Sequence, residues 1–366
     1  MKKSFLIAAM AGLAFVGCTE SELDSSVKSQ EAIRFNAPVV KPNTKAATEI
    51  GSVYGTDQTF RVWGHYYTND YTNFGAGQLY INEAECTYSG NTWIPNNATD
   101  TYYWPKNGTL TFIAYHPSTP ELADKTVVGA NGLTITDYTV KQPNSEMEDL
   151  MFSERAYNMK KSSQGDSTGV YSPYDGVDLQ FRHALASIAF NAKLNKEYPG
   201  TIVRIKGISL SNVVSKATFK QNLTDANGIT TKTEKLSSGT STVNASWTPS
   251  STRIDYVVEL TPTDLTTTAF WPCTNNTTAP VTTGVFNTRN TDLILIPQNV
   301  DNVTLRIDYS IKSPDSDPID QYYEVKLADS WKMGYRYVYN VTFSFDPITF
   351  APTVEVFVDA DGNIAI

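Results

Sequence analysis

Histidine and cysteine are scarce, three of each in 366 residues. Cys18, Cys86 and Cys273 are too few for a disulfide scaffold, and none lies in a CxxC or zinc-type spacing. Cys86 and Cys273 leave two readings open. They form a bridge, which needs Cα atoms within ~7 Å, or they are two buried thiols acting as small hydrophobes. His65, His116 and His183 form no HExxH pattern, so each reads as a structural imidazole. GxxxxGK[ST] and GxGxxG are both missing, which removes the phosphate cradles.

Basic charge is also short, with 29 Lys and Arg against 38 Asp and Glu and a net charge of -9. No basic stripe exists, so nucleic acid is not a partner. The acidic pairs Glu83/Glu85 and Glu146/Glu148/Asp149 read as solvated patches, because glycosidase carboxylates must face each other across a cleft. Asp315, Asp317 and Asp320 lack the Gly and Glu offsets of a calcium loop. These absences assign no catalytic residue, metal or cofactor, and the chain reads as a non-enzyme.

What the chain has instead is Thr, Asn, Ser and aromatics, with 21 Tyr and 16 Phe. The aromatic and β-branched residues suit a pleated, half-buried surface. Short alternating segments recur between turn residues, at 33–37, 60–66, 109–115, 201–211, 253–260, 302–311, 321–327 and 335–345. Leu305, Ile307, Tyr309 and Ile311 share one face. Asn107-Gly108 predicts a hairpin whose arms are Tyr102–Pro105 and Thr109–Tyr115. Helical periodicity is weak throughout. The fold class is therefore all-β, and the length suggests two domains. The Gly/Ser/Pro-rich stretch 160–177 places their boundary, giving 32–178 and 179–366.

The N-terminus is an address. Lys2 and Lys3 precede an apolar run, Phe5 to Gly17, too short to span a bilayer. Residues 1–17 have the layout of a secretory signal peptide. The run ends Phe15-Val16-Gly17-Cys18, which resembles a bacterial lipobox; it implies lipidation of Cys18 and anchoring in outer-membrane lipid. Residues 18–31 form a polar tether, whose acidic start is either an export signal or plain solvated chain.

Four features in order resemble the fimbrillin family, lipoprotein precursors of type V pili. They are the lipobox; Ile33-Arg34-Phe35-Asn36-Ala37 with the loop ending Thr44-Lys45-Ala46; Trp104-Pro105-Lys106-Asn107-Gly108 into Thr109–Tyr115, with Phe181-Arg182-His183-Ala184; and Trp331-Lys332-Met333-Gly334-Tyr335. The resemblance implies two tandem transthyretin-like Greek-key β-sandwiches and a structural subunit, as stalk, anchor or tip, in a surface fimbrium serving adhesion. Its partners would be other pilin subunits. It also implies proteolysis in the N-terminal segment, at Lys45, Lys41 or Arg34. Loss of strand 32–40, whose plug residues are Ile33, Phe35 and Ala37, would open a groove for a neighbour's strand. The donor would be 348–358, with Ile348, Phe350, Val354, Val356 and Val358 alternating. The pattern alone equally fits a last strand of its own sheet. The competing reading is a surface lipoprotein that binds a glycan or host protein without polymerising.

Overall fold

In the computed structural model, residues 31–36, 38–40, 52–53, 57–96, 101–160, 176–223, 245–271, 292–344 and 349–356 are described. Ala32–Ile366 forms one compact unit. The strands of its first part are β1 (Val39–Val40), β2 (Ser52–Val53), β3 (Phe60–Tyr67), β4 (Gln78–Ser89), β5 (Thr92–Asn96), β6 (Thr109–His116), β7 (Thr126–Gly129), β8 (Gly132–Thr139), β9 (Met151–Ser153), β10 (Ala156–Met159) and β11 (Gln180–His183). Then follow β12 (Ala186–Leu194), β13 (Ile202–Val214), β14 (Lys216–Asn222), β15 (Ala245–Pro249), β16 (Arg253–Val257), β17 (Thr263–Asp264), β18 (Leu293–Leu295), β19 (Thr304–Lys312), β20 (Ile319–Lys326), β21 (Tyr335–Phe343) and β22 (Thr349–Val356). Helix among the described residues is limited to single turns such as Pro120–Ala123. The fold is all-β, as the composition indicates.

Four sheets result. The first runs β2-β1-β11-β9-β6-β3-β4-β5, with β10 also on β6. The others run β18-β12-β21-β22, β16-β13-β19-β20 with β17 on β13, and β15-β14-β8-β7. Pairing between these strands is antiparallel except at β1–β11 and β12–β21.

Two apolar cores follow from the two-residue period of strands. In β6 all eight residues are buried. Leu110, Phe112 and Ala114 enter one core with Phe60, Val62, Cys86 and Phe181. Ile113 and Tyr115 point the other way, into a core shared with Phe152, Phe219, Leu210 and Tyr339. Three strand pairings cross residue 178: β1–β11, β9–β11 and β8–β14. β11 completes the first sheet, and β8 pairs with β14 through Ile135 and Phe219. The Phe219 ring lies tilted against two others, its centroid 5.0 Å from that of Phe152 and 5.1 Å from that of Trp247.

The predicted hairpin at Asn107-Gly108 is not formed. Gly108 makes a turn at φ +78, but Tyr103 bridges to Ala32 and β6 pairs with β3, β9 and β10. A favourable local turn fixes chain direction, and the partner is chosen by which apolar faces can be buried together. Cys86 is a free, buried thiol, which answers the bridge question for that residue. Cys273 lies outside the described residues.

Candidate functional site

Residues 32–36 form an extended segment beside β5, at one end of the first sheet, held on both sides by isolated bridges. On one side Phe35 N–H donates to Trp93 O at 2.8 Å and Trp93 N–H donates to Phe35 O at 2.9 Å. Ile33 N–H donates to Tyr102 O at 2.8 Å. On the other side Val177 N–H donates to Arg34 O at 2.7 Å, and Asn36 N–H donates to Val177 O at 3.0 Å. The segment runs antiparallel to β5 and parallel to Val177. Since β5 is one end of the first sheet and Val177 leads into β11, these residues tie the sheet back onto itself. A segment so placed pairs backbone groups of Trp93 on one side and Val177 on the other that would otherwise be left open.

The side chains follow the same alternation. Ile33 and Phe35 are completely buried, while Arg34 between them is exposed. The Phe35 ring meets Phe112 edge-on at 5.3 Å and Phe60 edge-on at 5.7 Å. Such aromatic pairs add about 0.5–1.5 kcal/mol beyond burial. Trp93, also buried, donates its indole N–H to Gln58 O at 3.1 Å. Asn36 ends the segment with a polar clasp, its Nδ2 donating to Asp178 Oδ1 at 2.7 Å and Gly176 O at 3.2 Å. Gly176 has φ +133, and a Cβ there would fall 2.4 Å from Asn36 Oδ1. Glycine is required on both counts.

Two of the predicted plug residues, Ile33 and Phe35, thus come together in one core. Ala37 lies outside the described residues, as do Cys18, Lys41, Lys45, Ile348 and Val358. Phe350, Val354 and Val356 belong to the backbone of β22, an edge strand antiparallel to β21 with Phe350 opposite Val341 and Val354 opposite Tyr337. Pro352 sits opposite Tyr339 on that edge, where a missing N–H is tolerated. Sequence reasoning missed Trp93, Val177, Asn36, Gly176 and Asp178. Asn36 alone had a local signal, a polar residue closing an alternating run. The others are distant in sequence and lie in segments that read as a plain aromatic or as linker.

The remaining polar groups serve packing. His183 pairs through Nδ1 with Asp149 Oδ2. His116 Nδ1 lies 2.8 Å from Thr59 O, and burial pushes its pKa below the usual imidazole value. Arg336 Nε donates to Asp292 Oδ2 at 2.6 Å, and Ser187 Oγ donates to the same oxygen at 2.5 Å. Glu85 accepts from Ser118 Oγ at 2.7 Å, and Glu148 accepts from Lys141 Nζ at 2.9 Å. Burial pushes the Glu83 carboxyl up, and the Arg61 charge partly offsets this. An open polar depression of about 600 Å³ is lined by Asp70, Lys106, Asn107 and Lys160 and has a single carboxylate. Among the described residues no cluster could hold a metal ion, and no helix is long and apolar enough to cross a membrane.

No curated protein sequence matches the chain. Solved structures do. A fimbrial protein from Bacteroides vulgatus is similar over 89% of this chain and 100% of its own, at 15% identity and TM-score 0.59, which shows a shared fold. A candidate cell adhesion protein from Bacteroides uniformis matches 89% of this chain and 98% of its own, at 16% identity and TM-score 0.47. The fimbrillin-like family model matches residues 44–356, most of the length, so the chain belongs to the fimbrillin-like family.

Proposed function

We propose that this protein is a subunit of a surface fimbria that assembles by exchanging its first strand, and that it contributes to adhesion. The observation that carries the reading is Phe35. It is a fully buried aromatic on a segment bonded on both sides, near the start of the chain. Taking 32–40 away strips hydrogen bonds from Trp93, Tyr102 and Val177 and removes β1 from β11. Unpaired edges beside empty apolar pockets are what β-augmentation uses.

Arg34 is exposed but sits between two buried residues, with its carbonyl bonded to Val177. A protease needs locally opened backbone, so cleavage at Arg34 is disfavoured in the folded chain, which leaves Lys41 and Lys45 as the sites to test. The replacement strand comes from the C-terminal segment of a neighbouring subunit, of the same or another kind, the counterpart of 348–358 here. Ile348-Thr349-Phe350 repeats the spacing of Ile33-Arg34-Phe35. In this reading Cys18 carries the lipid that holds the precursor at the outer membrane. Residues 32–178 and 179–366 are two sandwich domains, joined by β11 in the first sheet and by the β8–β14 seam.

The test compares intact protein with protein cut within residues 41–51, on a sizing column and on gels run without boiling. Cut protein should form an oligomer ladder while intact protein stays monomeric. Monomer in both samples, under all conditions that release the N-terminal peptide, rejects polymerisation and favours the non-polymerising adhesin.

A further inference from the structure

We infer that the groove under residues 32–36 selects its strand by a third, polar contact, at the position of Asn36. This rests on the strand-exchange reading and names what kind of strand the groove takes. Two apolar pockets alone would accept many alternating strands. The clasp adds chemistry that apolar alternation does not supply. Asp178 Oδ1 and Gly176 O are both acceptors, and they converge on one amide nitrogen at 2.7 and 3.2 Å. Gly176, at φ +133, holds its backbone so close that its own Cβ would overlap the Asn36 side chain. The occupant is therefore a strand reading large apolar, any residue, large apolar, then a short side-chain amide. A carboxylate in the last place would face Asp178 and be repelled; an alanine would leave both acceptors without this donor.

The consequence concerns the choice of partner. When Ile348 and Phe350 take the places of Ile33 and Phe35, Ala351 stands where Asn36 stood. The chain's own tail then meets two of the three requirements. The groove consequently favours a strand carrying Asn after its second anchor over the tail of another copy of this chain. Growth is biased toward a different subunit on this side.

The test uses full-length protein carrying a site-specific protease sequence within 41–51, cut, and then offered labelled peptides in excess. The peptides are residues 31–40, the same with Asn36→Ala, and the same with Asn36→Asp, read by fluorescence anisotropy at pH 7. A lost hydrogen-bonding donor predicts about tenfold weaker binding for the Ala peptide, and weaker still for Asp. In a Asp178→Asn protein the Asp peptide should recover most of its loss while the apolar anchors are untouched. A peptide of residues 347–358 should bind more tightly when Ala351 is changed to Asn. Equal binding of all three N-terminal peptides, or a ranking indifferent to Asp178→Asn, overturns the inference. If the ranking holds but cut protein never forms ladders, the polymer reading fails and the selectivity stands. If no peptide is taken up at all, both fall.

Discussion

Phe35 and Trp93 exchange both of their backbone hydrogen bonds, at 2.8 and 2.9 Å, and both side chains are buried in the same core. Phe35 is thus held at once by backbone pairing and by packing, at the one bridge between its segment and β5 among the described residues.

Truncating Phe35 tests the packing half. Phe35→Ala should destabilise by about 3–5 kcal/mol, the usual range for a buried aromatic. Arg34→Ala, one residue away and exposed, should stay within about 0.5 kcal/mol. Urea titrations of the two variants decide it, and equal losses would remove the special place given to Phe35.

The Gly176 conformation can be tested alone. Gly176→Ala combines a φ of +133 with a 2.4 Å overlap on Asn36, a strain of about 1–3 kcal/mol. Loosening should centre on the N-terminal segment, so limited trypsin digestion should cut at Arg34 faster than in the parent. Unchanged digestion would show that the clasp tolerates a side chain.

Much of this was legible in the sequence. The two-residue alternation at Ile33 and Phe35 put both on one face, and both are buried. The runs at 304–311 and 335–343 read correctly as strands. The partners were not legible. Tyr102-Tyr103 beside a good turn signal suggested a local hairpin, yet its backbone serves Ile33 and Ala32. Val177 sits at the end of a stretch that reads as linker. Turn chemistry and alternation are local, whereas the choice of neighbour depends on apolar faces brought together from far apart along the chain.

The seam between β8 and β14 predicts dependence between the halves. Residues 32–178 expressed without the rest would lose Phe219 from a shared core and leave β8 with an open edge. That fragment should bind the dye ANS and aggregate, while the whole chain does not. A soluble fragment with a sharp unfolding transition would show that the seam is dispensable.

Cys86 gives a pH signature. Burial first, then the neighbouring Glu85 charge, pushes its thiol well above the ordinary thiol range. The folded state keeps the proton that the unfolded state releases, so stability falls as pH rises past the unfolded thiol's pKa, near 8.5. Below that the contribution is fully present. Cys86→Ala should therefore lose less stability than the parent between pH 7.5 and about 9.5, seen in paired denaturant titrations. The native thiol should also resist alkylation until the chain unfolds. Parallel pH curves would remove the buried-thiol account.

The central claim is that residues 32–36 close the first sheet, and amide hydrogen exchange at Trp93 and Val177 reads it directly. Both N–H groups donate to that segment, to Phe35 O and Arg34 O. The account predicts strong protection in intact protein, loss of protection at both amides once the loop is cut and the peptide released, and its return in the assembled oligomer. Continued protection at both positions in a monomer that has lost residues 32–36 would contradict it.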